Sequence, residues 1–430
     1  MIVAEDIHVL LLDYTSPISL SKALISLQLL HSRVKHITII NKGDLVPSLH
    51  IPALPQPVTY QKIIMGNLGR TIQQLVRASG CEYTLFLYDH DYLTEKIQHV
   101  LLQLEKDNMM MVDSYRVRDL TIQRPFLVKT RLLQQSSSLL ERQVPFKEAV
   151  LPCWFSRLNA VNTIMISEGA VKQTRSVANH TSFYKQEMIQ KYFSRPINLT
   201  ESPSISIMLA NYNMEQYIDI ALASCFYQTV QPDQILVIDD GSRDRSYEKI
   251  QKWNGVIPLE SFQQINSGKA RAFNQLLPQI KSDFVLELDA DDWLDPDAMA
   301  VLKQHLAHLS EEVSVLYGNL RFWKQQNNGD VIFKGIRKGK PVYNQQDLIE
   351  YPFPLGPRIY RTSALKENGG FPVKDFQDGR LYEDVLVLND LLKKGRLHYE
   401  NFTIYNVRRH HASITKKNYS KWSEFIKYLD

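Results

Sequence analysis

No apolar run in this chain approaches the ~18–20 residues needed to cross a bilayer. The longest near the start, Val9 to Leu12, is cut by Asp13, and the opening residues include Glu5 and Asp6 rather than a basic stretch. Neither a transmembrane segment nor a signal peptide is therefore expected. Cysteine is scarce: Cys81, Cys153 and Cys225 are far apart and odd in number. That excludes a disulfide framework and a zinc site, and predicts buried thiols in a reducing compartment, the cytoplasm. An excess of one charge is missing too, with 50 basic against 46 acidic residues and a net charge of +4. So small an imbalance gives no reason to expect a nucleic-acid partner. The 17 glycines and 19 prolines show no fibrous or low-complexity bias. What remains is 430 residues that are 44% apolar, enough for two or three domains with cores of their own.

The pattern is clearest in the C-terminal half. Ser204 to Leu209 reads as a buried strand running into Asn211-Tyr212-Asn213. Helical spacing follows from Glu215 to Tyr227, carried by Ile218, Ala221, Leu222, Cys225 and Phe226. Gln234 to Ile238 is a second strand ending in Asp239-Asp240-Gly241-Ser242, and a helix should follow with Ser242 or Asp244 as its cap. Asn266 to Ile280 looks helical, and Phe284 to Leu288 is a strand ending in Asp289-Ala290-Asp291-Asp292. Alternation of this kind predicts an α/β fold with a mainly parallel sheet. Ligands of such sheets sit beyond the carboxyl ends of the strands, where each of these polar clusters falls.

The N-terminal half runs through a similar series. Val9–Leu12 leads into Asp13-Tyr14-Thr15 and a helix-like stretch from Ser19 to Leu30, and Ile37–Ile40 ends in Asn41-Lys42-Gly43-Asp44. Gly66-Asn67-Leu68-Gly69-Arg70 opens a helix, and Tyr83–Leu87 ends in Tyr88-Asp89-His90-Asp91. Tyr14 and Asp89 are 75 positions apart; Tyr212 and Asp289 are 77 apart. Pro152 to Arg157 also echoes Pro357 to Arg361. A tandem duplication is expected, residues 1–198 followed by 203–430, with the polar stretch Ser194 to Pro203 as linker.

Carboxylates crowded at the end of a buried strand repel one another, and burial raises their pKa values. A divalent cation relieves that, and oxygen ligands suit Mg²⁺ or Mn²⁺, often together with substrate phosphates. An acidic turn before the helix suggested by Asp295-Pro296 would show the same residues. Asn266-Ser267-Gly268-Lys269-Ala270-Arg271 offers close backbone approach and two cations, as an anion site would; an ordinary glycine turn would also serve. Asp239 and Asp240 could accept hydrogen bonds from a base or ribose, or simply cap a helix.

Taken together, ANYNMEQY (Ala210–Tyr217), VIDDGSRD (Val237–Asp244), NSGKARAFN (Asn266–Asn274) and LDADDWLDPD (Leu288–Asp297) resemble the family 2 inverting glycosyltransferases of the GT-A fold. The resemblance covers roughly residues 203 to 415; Ala210 stands where the family usually has proline. It implies two tandem GT-A-like domains, with a nucleotide-sugar donor, UDP-sugar favoured, bound by Asn211, Tyr212, Asn213, Asp239, Asp240, Asn266, Gly268, Lys269, Arg271, Asp289 and Ala290. It implies Mn²⁺ or Mg²⁺ on Asp289 and Asp291, with Arg408 and His410 of the Tyr405-x-x-Arg408-x-His410-x-x-Ser413 segment approaching the diphosphate or the metal, His410 as a further metal residue. It also implies a general base in the acidic pair Glu383-Asp384 after Gly369-Gly370-Phe371-Pro372, and Asp384 matches that base. Inverting transfer needs one carboxylate to take the acceptor proton and no carboxylate nucleophile. Bacterial surface or spore-surface polysaccharide synthesis is the implied setting, the acceptor a carbohydrate or glycosylated molecule, and the membrane periphery or envelope surface an alternative location.

The first half keeps Asp89-x-Asp91 and Asn67-x-Gly69-Arg70, but Asn41-Lys42 replaces Asp239-Asp240 and Gln186 aligns with Asp384. A cation cannot accept hydrogen bonds from a base, and an amide cannot take a proton at neutral pH. The first half is therefore expected to be a silent copy, serving as scaffold, acceptor-binding surface or route to oligomers. A competing reading makes the whole chain a non-catalytic assembly protein. A nucleotidyltransferase would place a glycine- and basic-rich loop where this chain has Asn211-Tyr212-Asn213.

Overall fold

The computed structural model describes residues 5–42, 55–64, 67–100, 104, 108–158, 162–166, 169–174, 180–193, 203–374, 376–410 and 421–429. Gly43, Asp44, Gly66, Ser413 and all but the last residue of the expected linker lie outside them. The chain divides into two compact units, residues 1–190 with 327–330, and residues 191–326 with 331–430.

In the first unit the strands are β1 (Ile7–Leu12), β2 (Val34–Asn41), β3 (Val58–Lys62), β4 (Tyr83–Tyr88), β5 (Asp91–Leu93), β6 (Asn108–Val117), β7 (Leu120–Lys129), β8 (Asn162–Met165) and β9 (Val171–Gln173). Its main sheet has the order β3-β2-β1-β4-β7-β6-β8. In the second unit they are β10 (Ile205–Asn211), β11 (Gln234–Asp239), β12 (Leu259–Gln263), β13 (Phe284–Asp289), β14 (Trp293–Leu294), β15 (Val313–Gln325), β16 (Val331–Arg337), β17 (Ile359–Arg361) and β18 (Arg396–Arg409). Here the order is β12-β11-β10-β13-β17-β15-β18-β14, with β16 beside β15. In each sheet four parallel strands are followed by one antiparallel strand, β7 or β17. The strand after that is antiparallel to it and parallel to the next. Seven successive positions thus share order and sense.

The central strands carry no polar alternation because helices cover both faces. Ile205, Ile207, Met208 and Leu209 of β10 are all fully buried, and each such side chain contributes ~1.5–3 kcal/mol. One side of the second sheet packs Met208, Leu236, Ile238 and Val285 against Phe273, Leu276, Val387 and Leu391 from two helices. Those helices are Lys269–Leu276 and Glu383–Lys394, so this core fixes the elements that border the carboxyl edge.

Several local expectations are corrected. The helix expected over Asn266–Ile280 is only Lys269–Leu276 followed by a 3₁₀ turn, because Gly268 has a φ of 95° and Pro278 lies in that turn. Ser242 and Asp244 cap no helix. The helix begins at Ser246; Ser242 accepts from the Asn213 N–H, and Asp244 accepts from the N–H groups of Ser246 and Glu215. Asp295-Pro296 does not start the next helix, which runs Ala298–Leu306; Asp295 is buried against Arg321 and Asn406.

Candidate active site at the carboxyl edge of the second sheet

Parallel pairing in register sets Asn211 beside Asp239, and Ala210 beside Asp289. The polar clusters read from the sequence therefore share one edge. There the Asn211 amide donates to Asp239 (2.7 Å) and Ser242 (3.1 Å), and the Ser242 N–H donates to Asp239 (3.0 Å). Asp239 is fully buried and acts inside this turn. Asn213, with φ 53°, accepts from the Arg243 N–H.

Asp240 organises the neighbouring loop. Its carboxylate accepts from Gln264 (2.6 Å), the Asn266 amide (3.1 Å) and the backbone N–H groups of Ser267 (2.8 Å) and Gly268 (2.9 Å). Gly241 is required where the loops touch: its φ is 70°, and a Cβ there would lie 2.6 Å from the Asn266 nitrogen. A cavity of about 840 Å³ opens between these loops, lined by Tyr212, Gly241, Ser242, Arg243 and residues 263–266. Its size suits a small-molecule ligand.

Beyond the cavity lies an alternating line of charges. Lys269 bridges Asp289 (2.5 Å) and Glu287 (2.8 Å). Glu287 takes two further bonds from Arg358 (2.8 and 2.7 Å) and one from the Tyr360 hydroxyl (2.9 Å). Arg358 then reaches Asp384 (3.3 Å) and the Leu355 carbonyl (2.9 Å). Burial alone would raise the Glu287 pKa, but Arg358 and Lys269 overcome it and hold the carboxyl well below its usual range. Burial likewise opposes the Lys269 charge, yet Asp289 and Glu287 keep its pKa above the usual value. Beside Asp384, burial, partly opposed by Lys269 and reinforced by Asp384, pushes the Glu383 carboxyl up to about 7.

The Asp-x-Asp cluster is split by exposure. The side chains of Asp289 and Asp291 are 36% and 21% exposed, whereas Asp292 is buried. Burial and the neighbouring Asp291 and Asp289 raise the Asp292 carboxyl well above its usual pKa. Asp292 accepts from the Arg408 N–H (2.7 Å), and His410 Nε2 lies 2.9 Å from Asp291. The Tyr405 hydroxyl accepts from the Asp289 N–H (2.9 Å). Ala290 is buried. Among the described residues no group of three acidic, histidine or cysteine side chains is gathered to hold a metal ion.

Two more expected donor residues are engaged within the protein. Arg271 donates to Ser267 and to Asp378, and Arg380 donates to the Asn266 side chain (2.6 Å). Asp378 and Tyr382 have positive φ in the turn before Glu383, and Tyr382 packs on Trp422 and Phe425. Sequence reasoning missed Glu287 and gave Arg358, Tyr360 and Tyr405 no role in the site. One signal was present: a glutamate inside the buried run Phe284–Leu288 must find a cation.

The corresponding edge of the first unit is closed by its own charges. Asp91 is buried and pairs with Arg124 (2.8 Å), which also holds Asp113 (3.0 Å). Asp13 pairs with Lys147, and Asp89 accepts from the Thr15 N–H and lies 3.2 Å from His90. Asn41 bonds the Tyr14 carbonyl, and Gln186 faces the Tyr115 hydroxyl.

Residues 206–369 match the sequence model described as glycosyl transferase family 2. An uncharacterized glycosyltransferase of Haemophilus influenzae is 33% identical over 29% of this chain and 50% of its own. A poly-beta-1,6-N-acetyl-D-glucosamine synthase of Staphylococcus aureus is 32% identical over 43% of this chain and 41% of its own. The hyaluronan synthase of Pasteurella multocida is 27% identical over 53% and 23%. The chain thus spans half or less of the length of these curated relatives. Among solved structures, S. aureus TarS in complex with UDP-GlcNAc aligns with a TM-score of 0.39 at 21% identity, over 50% of this chain and 61% of that one. The edge just described, from Asn211 through the Asp289 cluster, falls within residues 206–369, the part of this chain that is similar to glycosyl transferase family 2.

Proposed function

We propose that the second unit transfers a sugar from a UDP-sugar to an acceptor hydroxyl with inversion, and that Asp384 is the general base. The observation that carries this reading is the line Asp289–Lys269–Glu287–Arg358–Asp384. It fixes a carboxylate at the strand end beside the cavity and, at its other end, a second carboxylate held by a guanidinium. The donor would lie with its base in the cavity beside Tyr212 and the loop that Asp240 organises, and its diphosphate near Asp289. Asp384 takes the proton of the acceptor hydroxyl as that oxygen attacks the anomeric carbon. The bond to the diphosphate breaks on the opposite side, and UDP leaves with its electron pair.

The residues present fit a divalent cation. Asp289 and Asp291 are partly exposed, and burial together with the neighbouring Asp291 and Asp289 carboxylates raises the Asp292 pKa, which supports a place for a cation. With no third protein ligand gathered among the described residues, Mn²⁺ or Mg²⁺ on these two carboxylates would draw further ligands from the diphosphate. A bound cation would supply charge neutralisation to the leaving diphosphate. His410 would steady Asp291. Relatives named as polysaccharide synthases support a bacterial surface glycan as the product class.

The first unit is proposed to be a non-catalytic copy of the same fold. The shared strand order supports this, as do the engagement of Asp91 by Arg124 and an amide, Gln186, at the base position. Scaffolding or self-association is then its role.

The deciding experiment is Asp384→Asn. Turnover should fall by ~10²–10⁴, the usual worth of a general base, while UDP affinity stays unchanged. Loss of UDP binding would place Asp384 in the donor site, and full activity would place the base elsewhere.

A further inference from the structure

The catalytic edge continues into a cationic stripe that the transfer chemistry does not use. Residues 331–346 contain Lys334, Arg337, Lys338 and Lys340 and no acidic residue, a local charge equal to the +4 of the whole chain. Strand β16 pairs with β15, bringing Arg337 opposite Leu320. On the other side of β15, Leu320 pairs with Tyr405, Phe322 with Val407 and Lys324 with Arg409. The Arg337 guanidinium lies 4.9 Å from the centre of the Phe322 ring and 5.5 Å from that of Phe353, and the Arg409 guanidinium lies 4.5 Å from Phe322. Arg337 and Lys324 are exposed and Arg409 is half-buried. Among the described residues none of the three has a carboxylate partner.

The stripe starts at the reaction centre. Tyr405 bonds the backbone of Asp289, and Leu320 packs beside Gly356, two residues before Arg358. Arg409 immediately precedes His410, which lies 2.9 Å from Asp291, so the stripe runs along the border of that centre. Guanidiniums set on aromatic rings keep their donors aligned for phosphate oxygens.

We propose that this stripe binds the acceptor, and that the acceptor is a chain carrying phosphodiester groups. The inference rests on the transferase reading, since it assigns the stripe to the acceptor. A fluorescent glycerol-phosphate hexamer, a hexagalacturonate and a maltohexaose would be titrated into the full chain by anisotropy, with UDP and Mn²⁺ binding measured separately by calorimetry. The glycerol-phosphate hexamer should bind most tightly and weaken with salt. Arg337→Gln with Arg409→Gln should weaken it about tenfold or more. Arg337→Lys with Arg409→Lys keeps the charge but loses the ring-stacked fork, so it should also weaken binding, though less than the glutamine pair; Lys252→Gln should have no effect, and UDP affinity should persist throughout. Equal binding of maltohexaose, equal or tighter binding of hexagalacturonate, or retention by the double glutamine variant would overturn the proposal. Loss of UDP binding by the unaltered chain would instead refute the transferase reading.

Discussion

Replacing Glu287 with glutamine tests the charge line where it is most buried. Glu287 is 3% exposed and takes four bonds, two from Arg358 and one each from Lys269 and Tyr360. The glutamine keeps the shape but puts an NH₂ among cationic donors and leaves two positive charges with no anion between them. Removing one partner from a buried ion pair costs ~3–5 kcal/mol, whereas Tyr360→Phe removes one neutral donor and should cost ~1 kcal/mol. For a body of this size each kcal/mol lowers the melting temperature by ~2–4 °C, so Glu287→Gln should melt ~6–20 °C early. The pH dependence carries the sign. Because the folded pKa is depressed, the stabilisation is complete above the unfolded value of ~4.3 and is lost as pH falls toward the folded pKa. The gap between parent and variant should therefore be full at pH 7 and narrow in acid. Calorimetric melts at pH 7 and pH 3 check both points. A variant melting within 2 °C of the parent at neutral pH, or a gap that widens in acid, would refute the argument.

Four further outcomes are expected. Calorimetry of UDP should show Mn²⁺-dependent binding that Asp291→Ala abolishes; equal affinity with and without the metal would remove the Asp-x-Asp assignment. Asp89→Ala in the first unit should leave transfer within a few-fold of the parent, and a loss as deep as that of Asp289→Ala would make that unit an active site. Asp91→Ala should be tolerated worse than Asp89→Ala, by ~3 kcal/mol in chemical unfolding, because it strips Arg124 of a buried partner. Burial raises the Glu383 pKa to about 7, so this carboxyl lowers stability as pH rises from ~4.5 through 7, and Glu383→Gln should flatten that slope in urea titrations.

The parallel strands were legible because each is a short, mainly apolar run closed by a polar cluster, as in Ile235–Ile238 before Asp239. Strands β15 to β18 were not. Their pairing depends on contacts distant in the chain, such as Val315 with Tyr360 and Phe322 with Val407, and β15 mixes Asn319 and Arg321 with apolar residues because side chains elsewhere satisfy them. The site was legible as a set of positions but not as a set of bonds. Asp240 and Lys269 were read as facing a ligand, and the structure shows them already occupied, by the turn at residues 264–268 and by Glu287 with Asp289. Spacing reports which residues share an edge; it does not report which of them neutralise each other.

That distinction bears on the two sheets. A carboxylate at the end of a buried strand needs a cation, and the source of the cation decides what the strand end can do. In the first unit a single guanidinium, Arg124, lies against both Asp91 and Asp113, and all three are buried. That charge is settled internally and leaves little to attract an ion. In the second unit Lys269 is shared between Glu287 and Asp289, while the nearby Arg408 guanidinium donates to the Asp291 carbonyl rather than to a carboxylate, the Asp291 side chain contacts His410, and Asp292 takes the Arg408 N–H and the Tyr405 hydroxyl. Negative charge therefore remains in excess where Asp289 and Asp291 reach solvent. Supplying the first unit's solution to the second, a guanidinium against Asp291, should abolish metal dependence along with transfer. Asn211→Arg at the adjoining strand end would be the wrong site for it, because Asn211 already holds Asp239 and Ser242. His410→Arg is the direct test, since His410 already contacts Asp291 at 2.9 Å. Mn²⁺-dependent UDP binding should fall at least tenfold in that variant. Unchanged metal dependence would show that Asp291 is not where the cation is held.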